Sequence, residues 1–389
     1  LPKAMAIADQ VVKLLGAIPG VEKIAPAGSL RRRAESIGDI DIVVACTAGA
    51  AVMDAFCSMA MVGDVLARGE TKSSIRTTEG MQVDLRVVPP EHFGAAMLYF
   101  TGSKAHNVRM RALALKQGMT LNEYGLMTLA EKADVELPED PGLAGHAVPR
   151  AARRSRAVVA ADGEELPSAT EEQVFQQLGL VYIPPLLRED RGEIALAQSG
   201  GLPRLVELAD IRGDLHSHTN NSDGRNTIEE MAAGAIERGY AYLNISDHSR
   251  SQGIITGIDS VDYPKQVERV RAAAKVIEAA NPGFRLLCGV EVNVLPDGTL
   301  DLPDELLAEM DVVVASVHSN FRQARDEMTA RICAAARHPH IDIIGHPTGK
   351  KVEARDPYEV DLDQVMQAAL EGHTALEINA SPSRLDLND

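Results

Sequence analysis

The chain has 389 residues, 45% of them hydrophobic, and a formal net charge of −17. That length predicts two or three domains at roughly 150 residues each, with ample apolar material for buried cores. No apolar run is long enough to cross a bilayer and no charged-then-apolar leader opens the chain, so a soluble, cytoplasmic protein is expected.

The four cysteines, Cys46, Cys57, Cys288 and Cys333, are scattered without a CxxC pair and read as buried, reduced thiols. The acidic balance does not exclude a nucleic-acid partner. Long-range fields are screened, whereas local basic clusters act at contact. Arg31, Arg32 and Arg33 form one such cluster, and Lys104, Arg109, Arg111 and Lys116 another. The first residue is Leu1, which reads as a fragment or a processed product.

Residues 4–16 carry alanine and leucine at helical spacing. The stretch Gly28-Ser29-Leu30-Arg31-Arg32-Arg33 through Gly38-Asp39-Ile40-Asp41-Ile42-Val43-Val44 is the most informative in the chain. Residues 40–45 read as a strand, and positions i and i+2 of a strand share a face, so the carboxylates of Asp39 and Asp41 project together. A second strand is expected over 81–88, with a helix between, and it carries Asp84. Three converging aspartates beside an anion-binding turn suit two-metal phosphoryl transfer. Pro89-Pro90 breaks the pattern. Residues 93–118 then look helical, interrupted at Thr101-Gly102-Ser103, with Ser103 as N-cap and Gly118 as the C′ residue.

Residues 130–170 change character. They are rich in Pro, Gly, Ala and charge, with Arg150, Arg153, Arg154 and Arg156 close together, and read as a surface insertion or linker whose arginines form a solvated charge run. From Asp210 onward, strand-like runs alternate with helices, and each run ends in polar residues. The ends are His216-Ser217-His218, Ser246-Asp247-His248, Glu291, His318 and His346, and Ala375-Leu376-Glu377-Ile378-Asn379 closes the series. The first helix carries a capping box, Thr227 with Glu230, and stops at Gly239. This alternation predicts a parallel α/β barrel, with its chemistry at the C-terminal strand ends. His216, His218, Asp223, His248, Glu291, His318 and His346 make seven candidate ligands without a thiolate. They suit two or more Mn²⁺, Zn²⁺ or Fe²⁺ ions and phosphoester hydrolysis. His92, His106, His146, His338, His340 and His373 stand outside the series.

The residues from Gly28 to Asp41, then Val83-Asp84-Leu85-Arg86, Tyr99-Phe100-Thr101-Gly102-Ser103 with His106-Asn107, and Asn122-Glu123-Tyr124-Gly125 resemble the palm and thumb of a family X DNA polymerase. The segment 179–193 resembles that family's connector. The later half resembles the polymerase and histidinol phosphatase (PHP) domain through His216-Ser217-His218, Ser222-Asp223-Gly224, Ser246-Asp247-His248, Gly289-Val290-Glu291, Val317-His318-Ser319 and Gly345-His346-Pro347. Together they resemble the bacterial family X polymerase that carries both. The resemblance implies an α+β nucleotidyltransferase palm (1–90) and a thumb (91–185, with the insertion at about 130–168). A connector (186–209) and an α/β PHP barrel of (β/α)7 type (210–389), incomplete at its C-terminus, follow. It also implies that the family's N-terminal DNA-binding and fingers region and an Asp-Ala-His-type final strand lie outside this chain.

The resemblance implies roles as well. Asp39, Asp41 and Asp84 would be polymerase metal ligands for Mg²⁺ or Mn²⁺, with Asp84 the base that helps deprotonate the primer 3′-hydroxyl. Ser29 and Arg32, in the turn opened by Gly28 and followed by Gly38, would bind the triphosphate of a dNTP. Tyr99, Phe100 and Gly102 would line the sugar pocket. Asn107 and Arg111 would contact the nascent base pair and template, with Lys104 and His106 as further DNA contacts. The PHP half would be a 3′-to-5′ exonuclease or 3′-end-cleaning enzyme using a Mn²⁺, Zn²⁺ or Fe²⁺ cluster, in a monomeric repair protein acting on gapped or primer-template DNA. Two other readings remain. One is a small-molecule PHP phosphatase fused to an untemplated nucleotidyltransferase, against which the Tyr99–Asn107 constellation counts. The other is a non-catalytic DNA-end-binding scaffold, against which the intact carboxylates and histidines count.

Overall fold

The structure, a computed structural model, describes residues 1–129, 163–250 and 257–387. The chain divides into two units, Leu1–Arg204 and Leu205–Asp389.

The first unit opens with α1 (Pro2–Gly16), whose buried Ala4, Ile7, Ala8, Val11 and Leu15 recur at helical spacing. Five strands follow: β1 (Val21–Pro26), β2 (Asp39–Cys46), β3 (Val62–Arg68), β4 (Lys72–Thr77) and β5 (Gln82–Val88), in the order β1-β2-β5-β4-β3. Two helices lie among them, α2 (Gly28–Arg31) and α3 (Gly49–Cys57). Alternation along β2 sends Ile40, Ile42 and Val44 into one core with α1 and α3. Val43 lies on the opposite face and packs with Ala96 and Met97. Asp39 and Asp41 share that face by strand period, at the end of β2 that the core leaves uncovered. The strands expected at 40–45 and 81–88 are present. The span between them holds α3 and also β3 and β4, which were not expected. β3 is an edge strand whose residues are almost all exposed, so it carries no hydrophobic alternation to read.

The chain continues through α4 (Phe93–Thr101) and α5 (Lys104–Lys116), broken where expected. Ser103 caps α5 by accepting from His106 N, and Gly118 follows it at φ +78°. A small sheet of β6 (Met119–Asn122), β7 (Gly125–Thr128) and β8 (Glu165–Leu166) follows, then α6 (Glu171–Gln177) and α7 (Glu193–Ser199). Ala95, Leu98, Met110, Leu113, Phe175 and Leu178 join these elements in one core. The insertion expected at about 130–168, with Arg150, Arg153, Arg154, Arg156 and His146, falls outside the described residues as far as 162. Its last residues are instead ordered as β8.

The second unit is a six-stranded parallel sheet in strict sequence order: β9 (Gly213–Ser217), β10 (Tyr242–Ile245), β11 (Arg285–Asn293), β12 (Val312–Ser316), β13 (Ile343–Ile344) and β14 (Ala375–Leu376). Helices α8 (Ile228–Glu237), α9 (Tyr263–Ala280), α10 (Asp304–Leu307), α11 (Arg325–Ala336) and α12 (Leu362–Gly372) make the crossovers. The capping box at Thr227 and Glu230 forms as expected, and Gly239 at φ +75° follows α8. The sheet curls enough that His216, at the end of β9, bonds Glu377, just past β14, at 2.7 Å. Sequential parallel strands curled in this way are part of a (β/α) barrel.

Candidate metal centres

β2 and β5 run parallel with Asp41 registered opposite Asp84, and Asp39 lies two residues before Asp41 on the same face. The backbone of Gly28, at φ +60°, lies against Asp41, and a Cβ there would overlap the Asp41 carboxylate. Only glycine lets the turn approach so closely. Burial, together with the charges of Asp39 and Asp84, pushes the Asp41 carboxyl up to about 6. Burial opposes ionisation of Asp84 too, but hydrogen bonds from Gln82, Ser74 and Lys72 outweigh it and hold the group below its ordinary range. Lys72 Nζ is 3.2 Å from Asp84 Oδ2, and Gln82 Nε2 donates to Oδ1 at 2.9 Å. Hard carboxylate oxygens that repel one another fit a divalent cation. Among the described residues, however, the groups of three or more donor atoms mutually within 4.8 Å all lie in the second unit. The trio is gathered but not drawn tight.

Around it, Arg32 donates from Nε to Glu189 at 2.6 Å and from Nη1 to the carbonyl of Thr101 at 2.5 Å, beside Gly102. Arg31 reaches Glu171 at 2.6 and 3.0 Å and Thr101 Oγ1 at 2.8 Å. Burial opposes ionisation of Glu171, but Arg31 and the fully buried Arg188 hold it ionised. Tyr99 and Phe100 meet edge to face at 5.1 Å, and Arg86 lies 4.8 Å over the Phe100 ring. Asn107 Nδ2 donates to the Tyr99 carbonyl at 2.6 Å. Thus Arg32, Gly102, Tyr99 and Asn107 are brought together. Ser29 is half-buried in the turn, and Gly38 is exposed just before β2. Lys104 and Arg111 lie exposed on one face of α5. His106, expected at DNA, is corrected by the structure. It is fully buried and bonds Glu193 Oε1 at 2.6 Å, because the Ser103 cap sets a helical phase that turns His106, Met110 and Leu113 inward. Lys72, Glu171 and Glu189 were missed by sequence reasoning. The first sits on a strand that had no hydrophobic signature, and the others pair across long stretches of sequence.

In the second unit five imidazoles close into a ring. Successive centroids are 5.1 Å (His216–His218), 4.4 Å (His218–His248), 5.1 Å (His248–His318), 5.3 Å (His318–His346) and 6.0 Å (His346–His216). Glu291, 1% exposed, lies among them, with a nitrogen of each ring 2.9–3.4 Å from its oxygens. Asp223 approaches His248 at 3.5 Å and His218 at 4.0 Å from a more exposed position. All seven expected ligands therefore converge, and three overlapping groups have donor atoms within 4.8 Å of one another.

The approach is close, yet Glu291 Oε1, His248 Nδ1, His346 Nδ1 and His218 Nδ1 are buried without a hydrogen-bond partner. Glu291 Oε1, His248 Nδ1 and His218 Nδ1 lie orphaned beside further donor atoms of the ring, which a bound cation satisfies, so the residues fit a metal cluster. Burial opposes charge on Glu291, but the neighbouring histidines, led by His216 and His318, hold it well below its ordinary range. Burial also disfavours the His216 imidazolium, but Glu291 and Glu377 outweigh it and raise His216 to about 10. His218 is pushed down to about 4 by burial and by His248 and His216, against the pull of Glu291.

The structure adds positioning groups. Glu377 accepts from His216 Nδ1 at 2.7 Å and from the His346 backbone N–H at 2.5 Å. Asn293 Oδ1 takes His318 Nδ1 at 2.6 Å, and Asn293 is itself held by Ser249 and Asp301. Such contacts fix the ring that faces a metal. Asp247 accepts from Thr219, Ser222 and Gln266, anchoring the loop that carries Asp223. Asn293 was legible, standing at i+2 from Glu291 on the same strand face. Glu377 was legible as a carboxylate at the last strand end.

A DNA polymerase beta thumb model matches residues 96–189, and a PHP domain model matches residues 214–381. A DNA polymerase/3′-5′ exonuclease PolX of Bacillus subtilis is 36% identical over 389 residues, which is 99% of this chain and 61% of that protein. A probable phosphatase of Thermoanaerobacter is 33% identical over 173 residues, 43% of this chain and 64% of its own length. DNA polymerase lambda of Rattus norvegicus is 29% identical over 189 residues, 44% of this chain and 29% of its own. The chain spans less than two thirds of each of these relatives. Among the described residues no helix is long and apolar enough to cross a membrane.

Proposed function

The chain belongs to the family X DNA polymerases that carry a PHP domain, and from that premise we propose a DNA repair polymerase that adds dNTPs to a primer 3′ end and trims 3′ ends with its PHP unit. The observation that carries the first activity is the register of Asp41 against Asp84, with Asp39 on the same face and the Gly28 turn closed onto Asp41. Asp39, Asp41 and Asp84 hold Mg²⁺ or Mn²⁺. Asp84, kept ionised by Lys72 and Gln82, is the acceptor for the primer hydroxyl proton. Ser29 and Arg32 hold the triphosphate; the Arg guanidinium matches phosphate oxygens in the plane of its fork. Tyr99, Phe100 and Gly102 close on the sugar, and Asn107, Lys104 and Arg111 face the duplex.

In the PHP unit His216, His218, Asp223, His248, Glu291, His318 and His346 hold Mn²⁺, Zn²⁺ or Fe²⁺. Glu377 and Asn293 fix His216 and His318. Metal ions in both sites supply an activated oxygen nucleophile and neutralise charge at phosphorus. Domain limits of 1–90, 91–185, 186–209 and 210–389, a monomeric state and a cytoplasmic location complete the reading.

The test is extension of a gapped primer with dNTP and Mn²⁺. Addition that Asp84→Asn abolishes supports the polymerase reading, and no addition by the unmodified chain overturns it. The likeness of residues in the PHP unit to probable phosphatases favours a second reading for that unit, a small-molecule phosphatase. Faster hydrolysis of a small phosphomonoester than of a DNA 3′ end would support it.

A further inference from the structure

The loops that follow β13 and β14 are bound to each other. Val352 N donates to the Ser383 carbonyl at 2.8 Å, and Thr348 N donates to the Asp386 carboxylate at 3.1 and 3.2 Å. The first loop begins with His346 of the imidazole ring. This pairing gathers three cations, Lys351 and Arg384, each adjacent in sequence to the Val352–Ser383 bond, and Arg355, whose carbonyl accepts from Lys351 N at 2.9 Å.

Arg355 is committed to the fold. Its Nε donates to the Gly349 carbonyl at 2.8 Å, and its guanidinium lies 3.9 Å over the Phe321 ring. Lys351 and Arg384 are not. Neither is ion-paired with a carboxylate among the described residues, and Arg384 Nη1 is buried without an acceptor. Arg384 stands two residues before Asp386, whose carboxylate takes Thr348 N, and Thr348 is two residues past His346 of the ring. Burial, then Arg384 and Arg355, lower Lys351, while Asp223 pulls the other way. Uncompensated cations beside a cage for metal ions are unfavourable unless an anion comes to the same place.

Resting on the phosphoesterase reading of this unit, we propose that Lys351 and Arg384 form a phosphate-binding subsite at the rim of the His/Glu centre, gripping an ester phosphate of the substrate. The guanidinium supplies a planar pair of donors and the ammonium a mobile point charge, the complementary pair for a phosphate that the metals alone would orient loosely. Arg384 is the preformed half, and Lys351, exposed on the loop, is the half that closes on the anion.

The test uses the whole chain loaded with Mn²⁺ and five variants, Lys351→Gln, Arg384→Gln, the double variant, Lys351→Arg and Arg384→Lys. Binding of inorganic phosphate is followed by calorimetry, and hydrolysis is followed on p-nitrophenyl phosphate and on a short single-stranded oligonucleotide. The double variant is expected to bind phosphate about 10-fold or more weakly and to raise KM by a like factor, with kcat within about twofold. Lys351→Arg keeps both near the original values. A KM rise on both substrates places the reacting phosphate in the subsite, and a rise on the oligonucleotide alone places a neighbouring phosphate there. Arg384→Lys, which keeps the charge, separates loss of the anion site from loss of loop packing. Unchanged phosphate affinity and unchanged KM in a double variant of normal metal content overturn the proposal. If the unmodified chain hydrolyses neither substrate, the phosphoesterase reading fails, and the phosphate titration alone still decides the subsite.

Discussion

The two candidate centres solve opposite electrostatic problems. In the first unit three carboxylates share one face of β2 and β5, so the site is crowded with like charge and Asp41 is driven up to about 6. In the second unit a single buried carboxylate, Glu291, stands among five imidazoles, and attraction holds it far below its ordinary range. A carboxylate trio is finished only by the cations that enter it. The imidazole ring is largely assembled by its own contacts and by Glu377 and Asn293 behind it. The first arrangement suits ions that arrive with a charged substrate, and the second suits ions that stay.

The sharpest way to break this comparison is a reciprocal pair of variants. Glu291→Gln should lower phosphoester hydrolysis by about 10³-fold, the scale of several kcal/mol of lost metal-borne stabilisation, and leave nucleotide addition within about twofold. Asp41→Asn should do the reverse. Both assays run on each protein, and a variant that loses both activities would mean the centres do not act separately. A smaller effect sharpens the second half of the comparison. Asn293→Ala frees His318, and Glu377→Gln weakens the hold on His216. Each should lower metal affinity by about 10- to 100-fold, read by chelator competition, with nucleotide addition unchanged.

The smallest effect concerns stability. Asp41 has a raised carboxyl, so the folded chain binds its proton more tightly than the unfolded chain does. Its ionisation therefore destabilises the metal-free fold progressively as pH rises from about 4 to about 6, and fully above that. Asp41→Asn should then stabilise the chelated protein at pH 7 by on the order of 1–2 kcal/mol after solvent screening, seen as a higher Tm. The difference should vanish near pH 4. A lower Tm for the variant at pH 7 would show that the trio is not under like-charge strain.

Much of both sites was legible in the sequence for one reason. Strand period places i and i+2 on one face, so Asp39 with Asp41 and His216 with His218 could be paired without coordinates. A repeated strand-end pattern likewise linked His248, Glu291, His318 and His346. The capping chemistry of Ser103 and of Thr227 with Glu230 was local and was read correctly. What failed was either non-periodic or distant. β3 is exposed along almost its whole length, and His106 reads as polar until α5 is packed against Glu193.

The sequence by itself determined β2, β5 and the strands of the second unit, though not β3 and β4, and with them the faces of the carboxylates and histidines, because these follow from short-range periodicity and side-chain type. Only the tertiary structure decided that five rings close around Glu291, that Arg32 is held by Glu189, and that the loop after His346 is bonded to the loop that carries Arg384. Those contacts join segments far apart along the chain, and their geometry is set by sheet curvature and loop packing, which no local pattern encodes.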